Sequence, residues 1–176
     1  MRKILMLGMA LLVLAGCLSV DDFSDSWAQA KLDPSFAGRW QKLQAKGEQT
    51  VEQVVFTEQD GAYDVLATTD GKPAEDFSSP YPVRALTLGP YQFLLSRNRG
   101  LGGDMVRVRH VGQQLEFYAL QSDTAQKLLK TPNLNLKFDA YSVGIRRLDA
   151  ATAAWLADVP DTPTYWHKTV TYRRVP

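Results

Sequence analysis

The sequence predicts a mainly β fold, an antiparallel meander that forms a small up-and-down barrel or a strongly curved sheet, with one or two short helices near the C-terminus. Three observations predict it. Between residues 36 and 121, apolar and polar residues alternate over short runs. Turn-forming pairs separate those runs: Asp60-Gly61, Asp70-Gly71, Gly89-Pro90 and Gly112. Helical spacing of apolar residues occurs only late, at Leu148, Thr152, Trp155 and Val159.

The strands expected from this pattern are Phe36–Ala45, Val51–Thr57, Tyr63–Thr68, Val83–Leu88, Tyr91–Ser96, Met105–Val111 and Leu115–Leu120. Tyr91, Phe93 and Leu95 share a face, as do Leu115, Phe117 and Ala119. Val106 and Val108 point one way while Arg107 and Arg109 point the other. The spacers are too short for parallel crossovers, so neighbouring strands are antiparallel. Large residues on the inward faces (Phe93, Leu95, Val106, Val108, Leu115, Phe117) predict a filled or narrow interior. Ser122 is placed as the cap of a helix to about Lys130, which Thr131-Pro132-Asn133 ends. Residues 134–147 are ambiguous, with a strand from Leu136 to Ile145 as one reading. Asp149 caps a second helix to Asp158, stopped by Pro160. The last strand is expected at Thr169–Val175.

The amino terminus has a different composition. Arg2 and Lys3 precede an uncharged apolar run from Ile4 to Ala15, the length of a secretory h-region and too short to span a bilayer. It ends in Leu14-Ala15-Gly16-Cys17. This resembles the lipobox of bacterial lipoproteins. The resemblance implies a signal peptide over 1–16, removed by cleavage, and a diacylglyceryl group on Cys17. Leu18, rather than an acidic residue, follows the cysteine. In lipoproteins of the enteric type this implies release to the outer membrane, facing the periplasm. Residues 17–34, rich in Asp and Ser, read as a lipidated tether in which Trp27 and Ala28 could begin a short helix, and 35–176 read as a single barrel-like domain.

Removing residues 1–16 leaves 160, enough for one domain with a core. It also leaves 18 basic against 19 acidic residues, a balance that does not suggest nucleic acid as a partner. The chain has one cysteine, so no internal disulfide can form. No Gly-x-Ser-x-Gly elbow occurs, and His110 and His167 sit in no ligand-spaced motif. No catalytic residue, metal or cofactor is therefore expected. Glu75 and Asp76 read as solvated charges in the segment 70–82, where Phe77, Pro80, Tyr81 and Pro82 form either a lid or a packed-down loop.

Two further sets of residues stand out. Arg97, Arg99, Arg107 and Arg109 surround the glycine-rich stretch Gly100–Gly103, where a hairpin could gather their guanidiniums around a phosphate or carboxylate. The alternative is an outer face on which arginines alternate with core valines. The stretch Asp33–Trp40, with Gly38-Arg39-Trp40 after an aromatic residue, looks like the first lipocalin motif. That resemblance implies a tryptophan plugging the barrel floor under a late arginine, Arg173 or Arg174, with Arg173 taken as the pair. The family's middle Thr-Asp-Tyr motif is absent, and the helix at 149–158 precedes the last strand, so the resemblance speaks to fold alone. The function expected is a non-enzymatic binding or accessory module of the envelope, anchored to the membrane, with an envelope protein or a lipid as partner. A lipocalin-like carrier of a small hydrophobic or anionic lipid is the alternative, and an inhibitor of a periplasmic hydrolase a further one.

Overall fold

A computed structural model describes residues 18–74, 81–128, 134–138 and 143–176, apart from the side chains of 98 and 99. Among these, twelve strands form one continuous sheet, and eight of them close an antiparallel barrel. In chain order the strands are β1 (Leu18–Val20), β2 (Gly38–Lys42), β3 (Glu52–Gln59), β4 (Ala62–Thr69), β5 (Lys72–Pro73), β6 (Tyr81–Leu88), β7 (Tyr91–Arg99), β8 (Gly102–Val111), β9 (Gln114–Leu120), β10 (Leu136–Phe138), β11 (Val143–Ile145) and β12 (Trp166–Val175). Three helices join them: α1 (Ser24–Gln29), α2 (Ser122–Gln126) and α3 (Ala150–Asp158).

The barrel is a meander through β2, β3, β4, β6, β7, β8 and β9, closed by β12 between β9 and β2. Closure pairs the strands around the ring, and segments outside it pair further edges, β1 on β8, β5 on β4 and Lys31 on β6, which removes templates for aggregation. The lumen is filled by its own side chains. Phe36, Trp40, Tyr63, Leu115 and Phe117 are almost wholly buried there, with Phe117 edge-on to Tyr172 at 5.6 Å. One end is plugged by a short 3-10 turn, Pro34–Phe36, capped by Asp33. Phe36 thus belongs to the plug, and the first barrel strand is shorter than its apolar pattern suggested.

A second core lies outside the barrel wall, and it corrects the facing of β7. Tyr91, Phe93 and Leu95 do share a face, but that face points outward, while Leu94 points into the lumen. Alternation identifies two faces without saying which is the inside; here the outer face of the wall is covered too. Its cover is β1, α1, α2, α3 and the ribbon of β10 and β11. Leu136–Phe138 and Val143–Ile145 are therefore two short strands of the outer layer rather than one strand from Leu136 to Ile145. Asp149 caps α3 as expected, its carboxylate accepting from Thr152 N at 2.8 Å. At α2 the cap position falls on Gln121, not Ser122.

The largest correction concerns residues 18–34, which are a strap rather than a free tether. The alternation Leu-Ser-Val turns Leu18 and Val20 into the second core, each 2% exposed. β1 runs antiparallel to β8, with Leu18 opposite Met105, and parallel to β11. The chain then turns at Asp22, whose carboxylate accepts from Ser24 N at 3.0 Å, and buries Phe23. Along α1, Trp27 stacks on Phe23 at 5.8 Å. Lys31 exchanges backbone hydrogen bonds with Ala85 on β6. The strap crosses the outer wall and ends as the plug.

At the plugged end, Arg174 and not Arg173 lies over Trp40, at 5.3 Å. Strand parity decides this: Arg174 shares a face of β12 with the buried Tyr172 and is opposite Trp40, whereas Arg173 lies on the other face; both arginines are exposed. The Trp40 indole N–H donates to Phe36 O at 2.8 Å, and Arg174 donates to Ala37 O. Arg174→Ala is expected to cost about 1–2 kcal/mol in urea unfolding, one cation–π contact and one backbone hydrogen bond. Arg173→Ala should stay within about 0.5 kcal/mol of the parent. Equal effects would reject this assignment.

Candidate functional site

The residues with the most chemistry lie on the outer faces of β8 and β9. β8 places Val106 and Val108 inward and Arg107 and Arg109 outward, as the alternation predicts. Arg107 is nevertheless buried, only 3% exposed. Its guanidinium lies 4.1 Å from the ring centroid of Tyr91 and 4.9 Å from those of Tyr118 and Trp166. Its Nη2 meets Asp161 Oδ1 at 2.6 Å, in the segment after α3. The fourth wall is thus a carboxylate from 54 residues downstream. Desolvation among three rings strengthens each cation–π contact.

Arg109 is half exposed and belongs to a different group. Its Nη2 and Nε meet Glu116 Oε2 at 2.8 and 3.1 Å. The same carboxylate accepts from Tyr118 OH at 2.6 Å and Lys168 Nζ at 3.0 Å. Burial alone would raise the Glu116 pKa, but the hydrogen bonds from Tyr118, Arg109 and Lys168 outweigh it and hold the carboxyl down to about 2. Burial and the same bond push the Tyr118 phenol up to about 12. A carboxyl depressed in the fold contributes stability above its unfolded value of 4.5, lost as pH falls towards 2. Urea unfolding between those limits should show parent stability falling relative to Glu116→Gln, by on the order of 2 kcal/mol after screening by the exposed partners. Parallel pH profiles of the two proteins would refute this.

Of the four arginines expected to cluster, the three whose side chains are described do not converge. Arg107 is enclosed with Asp161, and Arg109 is paired with Glu116. Arg97 donates to Gly100 O at 2.8 Å and lies 5.9 Å from the Trp27 ring. Arg99 ends β7, and its side chain is outside the described residues. Cys17, Glu75, Asp76, Phe77 and Pro80 are also outside them. Tyr81 and Pro82 begin β6.

His110 faces the plug. Its ring lies 4.6 Å from that of Phe36, and its Nε2 is 3.0 Å from Ser35 Oγ. Ser35 Oγ also donates to Asp33 Oδ1 at 2.6 Å. The Asp33 carboxyl is held below its ordinary value: burial opposes this, but bonds from Ser35 and Gln92 prevail. An ionised carboxylate only accepts, so the hydroxyl proton points at Asp33 and His110 donates to the Ser35 oxygen. An activated nucleophile needs the reverse polarity. Burial lowers the His110 pKa, Asp33 opposing and Arg174 assisting. His167 is exposed on β12. No group of His, Cys, Asp and Glu fit to hold a metal occurs among the described residues.

A cavity of about 400 Å³ opens in the outer layer, lined by Leu128, Leu134, Ala151, Ala154, Trp155 and Val159 with Asp158 at its side. Trp155 Nε1 is buried with no partner among the described residues. Neither this cavity nor the Asp161 and Glu116 pairings carry a local sequence signal. Glu116 becomes visible only once β8 and β9 are in register, which sets it opposite Arg109. No protein-family model, curated protein or solved structure matches the chain.

Proposed function

We propose that the chain is a lipid-anchored module of the bacterial cell envelope, periplasm-facing and held at the outer membrane, that works by binding rather than catalysis. The observation that carries the binding part is the filled lumen. Trp40, Phe36, Tyr63, Phe117 and Leu115 occupy the space a small-molecule carrier of this architecture would keep open. Recognition is then left to the outer surface. The polar groups favour the same reading, since Glu116 is locked in its ionised form by three donors and the Ser35 proton is directed at Asp33. The anchor rests on the sequence Leu14-Ala15-Gly16-Cys17.

The test is incorporation of a labelled fatty acid into the full chain in a bacterial host, followed by membrane fractionation. The parent should carry label and sediment with membranes; Cys17→Ser should carry none and appear in the soluble fraction. Label on Cys17→Ser, or an unlabelled parent, would defeat the anchor.

A second reading, a lipid carrier, is favoured by the apolar cavity outside the barrel. Its size is in the range of small-ligand sites, and its lining suits an apolar body. Mass spectrometry of lipid extracted from purified protein tests it. A lipid bound by the parent and lost in Ala154→Trp would favour the carrier; none in either would dismiss it.

A further inference from the structure

We infer that the barrel is held flush against the bilayer, with the β1 side of its wall at the headgroups, because no spacer separates the lipid-bearing residue from the fold. The inference rests on acylation of Cys17. It needs one further observation, the position of β1. Leu18 is the next residue in the chain and is already the first residue of a buried strand, hydrogen-bonded between β8 and β11. Consecutive α-carbons lie about 3.8 Å apart, so the acylated residue starts within one residue's length of the wall.

Releasing β1 to make a spacer is costly. Leu18 and Val20 are each 2% exposed, and releasing them would return both aliphatic side chains to water and break their ladder bonds. Beyond them the strap is pinned again: Asp21 N donates to Ile145 O, Phe23 N to Leu101 O, and Lys31 pairs with Ala85. A segment that reads in the sequence as a polar tether therefore has no slack to pay out.

The covalent tie, and not charge, sets the apposition. On the row that runs across the sheet from Ser19 through Gly144 to Lys137, the exposed Lys137 lies two strands from β1. Arg146 is exposed nearby, but Asp21 is exposed beside β1 as well and Arg147 is already paired with Asp22 and Asp25. The local charge is mixed, so anionic lipid is not required. The far wall is β3, opposite β8 in the ring, where Thr57 is exposed.

The experiment uses the full lipidated chain in phosphatidylcholine vesicles containing headgroup-nitroxide lipid. Acylation consumes the chain's single cysteine, so one introduced thiol can be labelled with a fluorophore uniquely. A label at Lys137→Cys should be quenched several-fold more than one at Thr57→Cys, without anionic lipid and at high salt. Inserting about twelve Gly and Ser residues before Leu18, with a spare Leu kept after Cys17, adds roughly 20 Å of reach and should bring the two labels close to equal. Equal quenching on an acylated protein without the insert overturns the inference and leaves the anchor standing. Quenching at Lys137→Cys that survives the insert overturns it too, since the surface would then bind by itself. Absence of the acyl group, checked by mass, removes the anchor and this inference together.

Discussion

Gly102→Ala is expected to unseat the strap from the barrel and to lower stability by about 4 kcal/mol. A methyl group there would sit 2.2 Å from Val20 O and 2.4 Å from Asp21 O. Both are backbone atoms, so no side chain can swing aside, and β1 must move away from β8. The loss then approaches that of exposing Leu18 and Val20, each worth roughly 2 kcal/mol. β1 pairs with the barrel only at residues 103–105 of β8, and the remaining ring pairings do not involve it, so the far-ultraviolet β signal should persist. Hydrogen exchange should lose protection at residues 18–20 and at their β8 partners 103–105 while β2–β4 stay protected. Gly100→Ala is the control. It has a left-handed φ of 53° but nothing within 4 Å of the added methyl, and should cost about 1 kcal/mol. Similar costs for the two substitutions would show that the close approach of β1 is not what demands glycine at 102.

Arg107→Ala should be the most damaging change on the outer wall, at about 4 kcal/mol in urea unfolding. It removes a buried side chain from between Tyr91, Tyr118 and Trp166, leaving a cavity where three cation–π contacts had been. Arg107→Met restores most of the volume without the charge and should recover about half of that loss. Asp161→Asn separates the ion pair from the packing. Its carboxylate is half exposed and needs no partner, whereas Arg107 would be left buried beside a neutral amide. About 2 kcal/mol is expected. If Met were as damaging as Ala, charge would outweigh packing at this site; if Arg107→Ala were tolerated, the enclosure would contribute nothing.

The difference between the two arginines of β8 shows where sequence reasoning stops. Alternation with Val106 and Val108 places both on the outer face, and both are there. Whether an outer face meets solvent depends on segments far away in the chain: Trp166 from β12, Asp161 after α3, and Leu18–Val20 ahead of everything. A glycine-rich hairpin between arginines reads as an anion site because local spacing cannot disclose carboxylates 54 residues away from Arg107 or on the next strand beside Arg109. The strap was hidden for a similar reason. Asp21, Asp22 and Asp25 make residues 18–34 look solvated, yet Leu18, Val20, Phe23, Ser26 and Ala30 are buried around them. Three residues are too short a run to identify as a strand before their partner is known.

Period-two alternation, closely spaced turns and a late helix capped by Asp149 were enough by themselves to determine a mainly β meander with short connections, because these are properties of neighbouring residues. Only the tertiary structure decided that the ring closes through β12, that Arg174 rather than Arg173 covers Trp40, and that the wall has a core on both sides. Each of those depends on register or on burial by distant chain, and a period of two names the faces of a strand without saying what will lie against them.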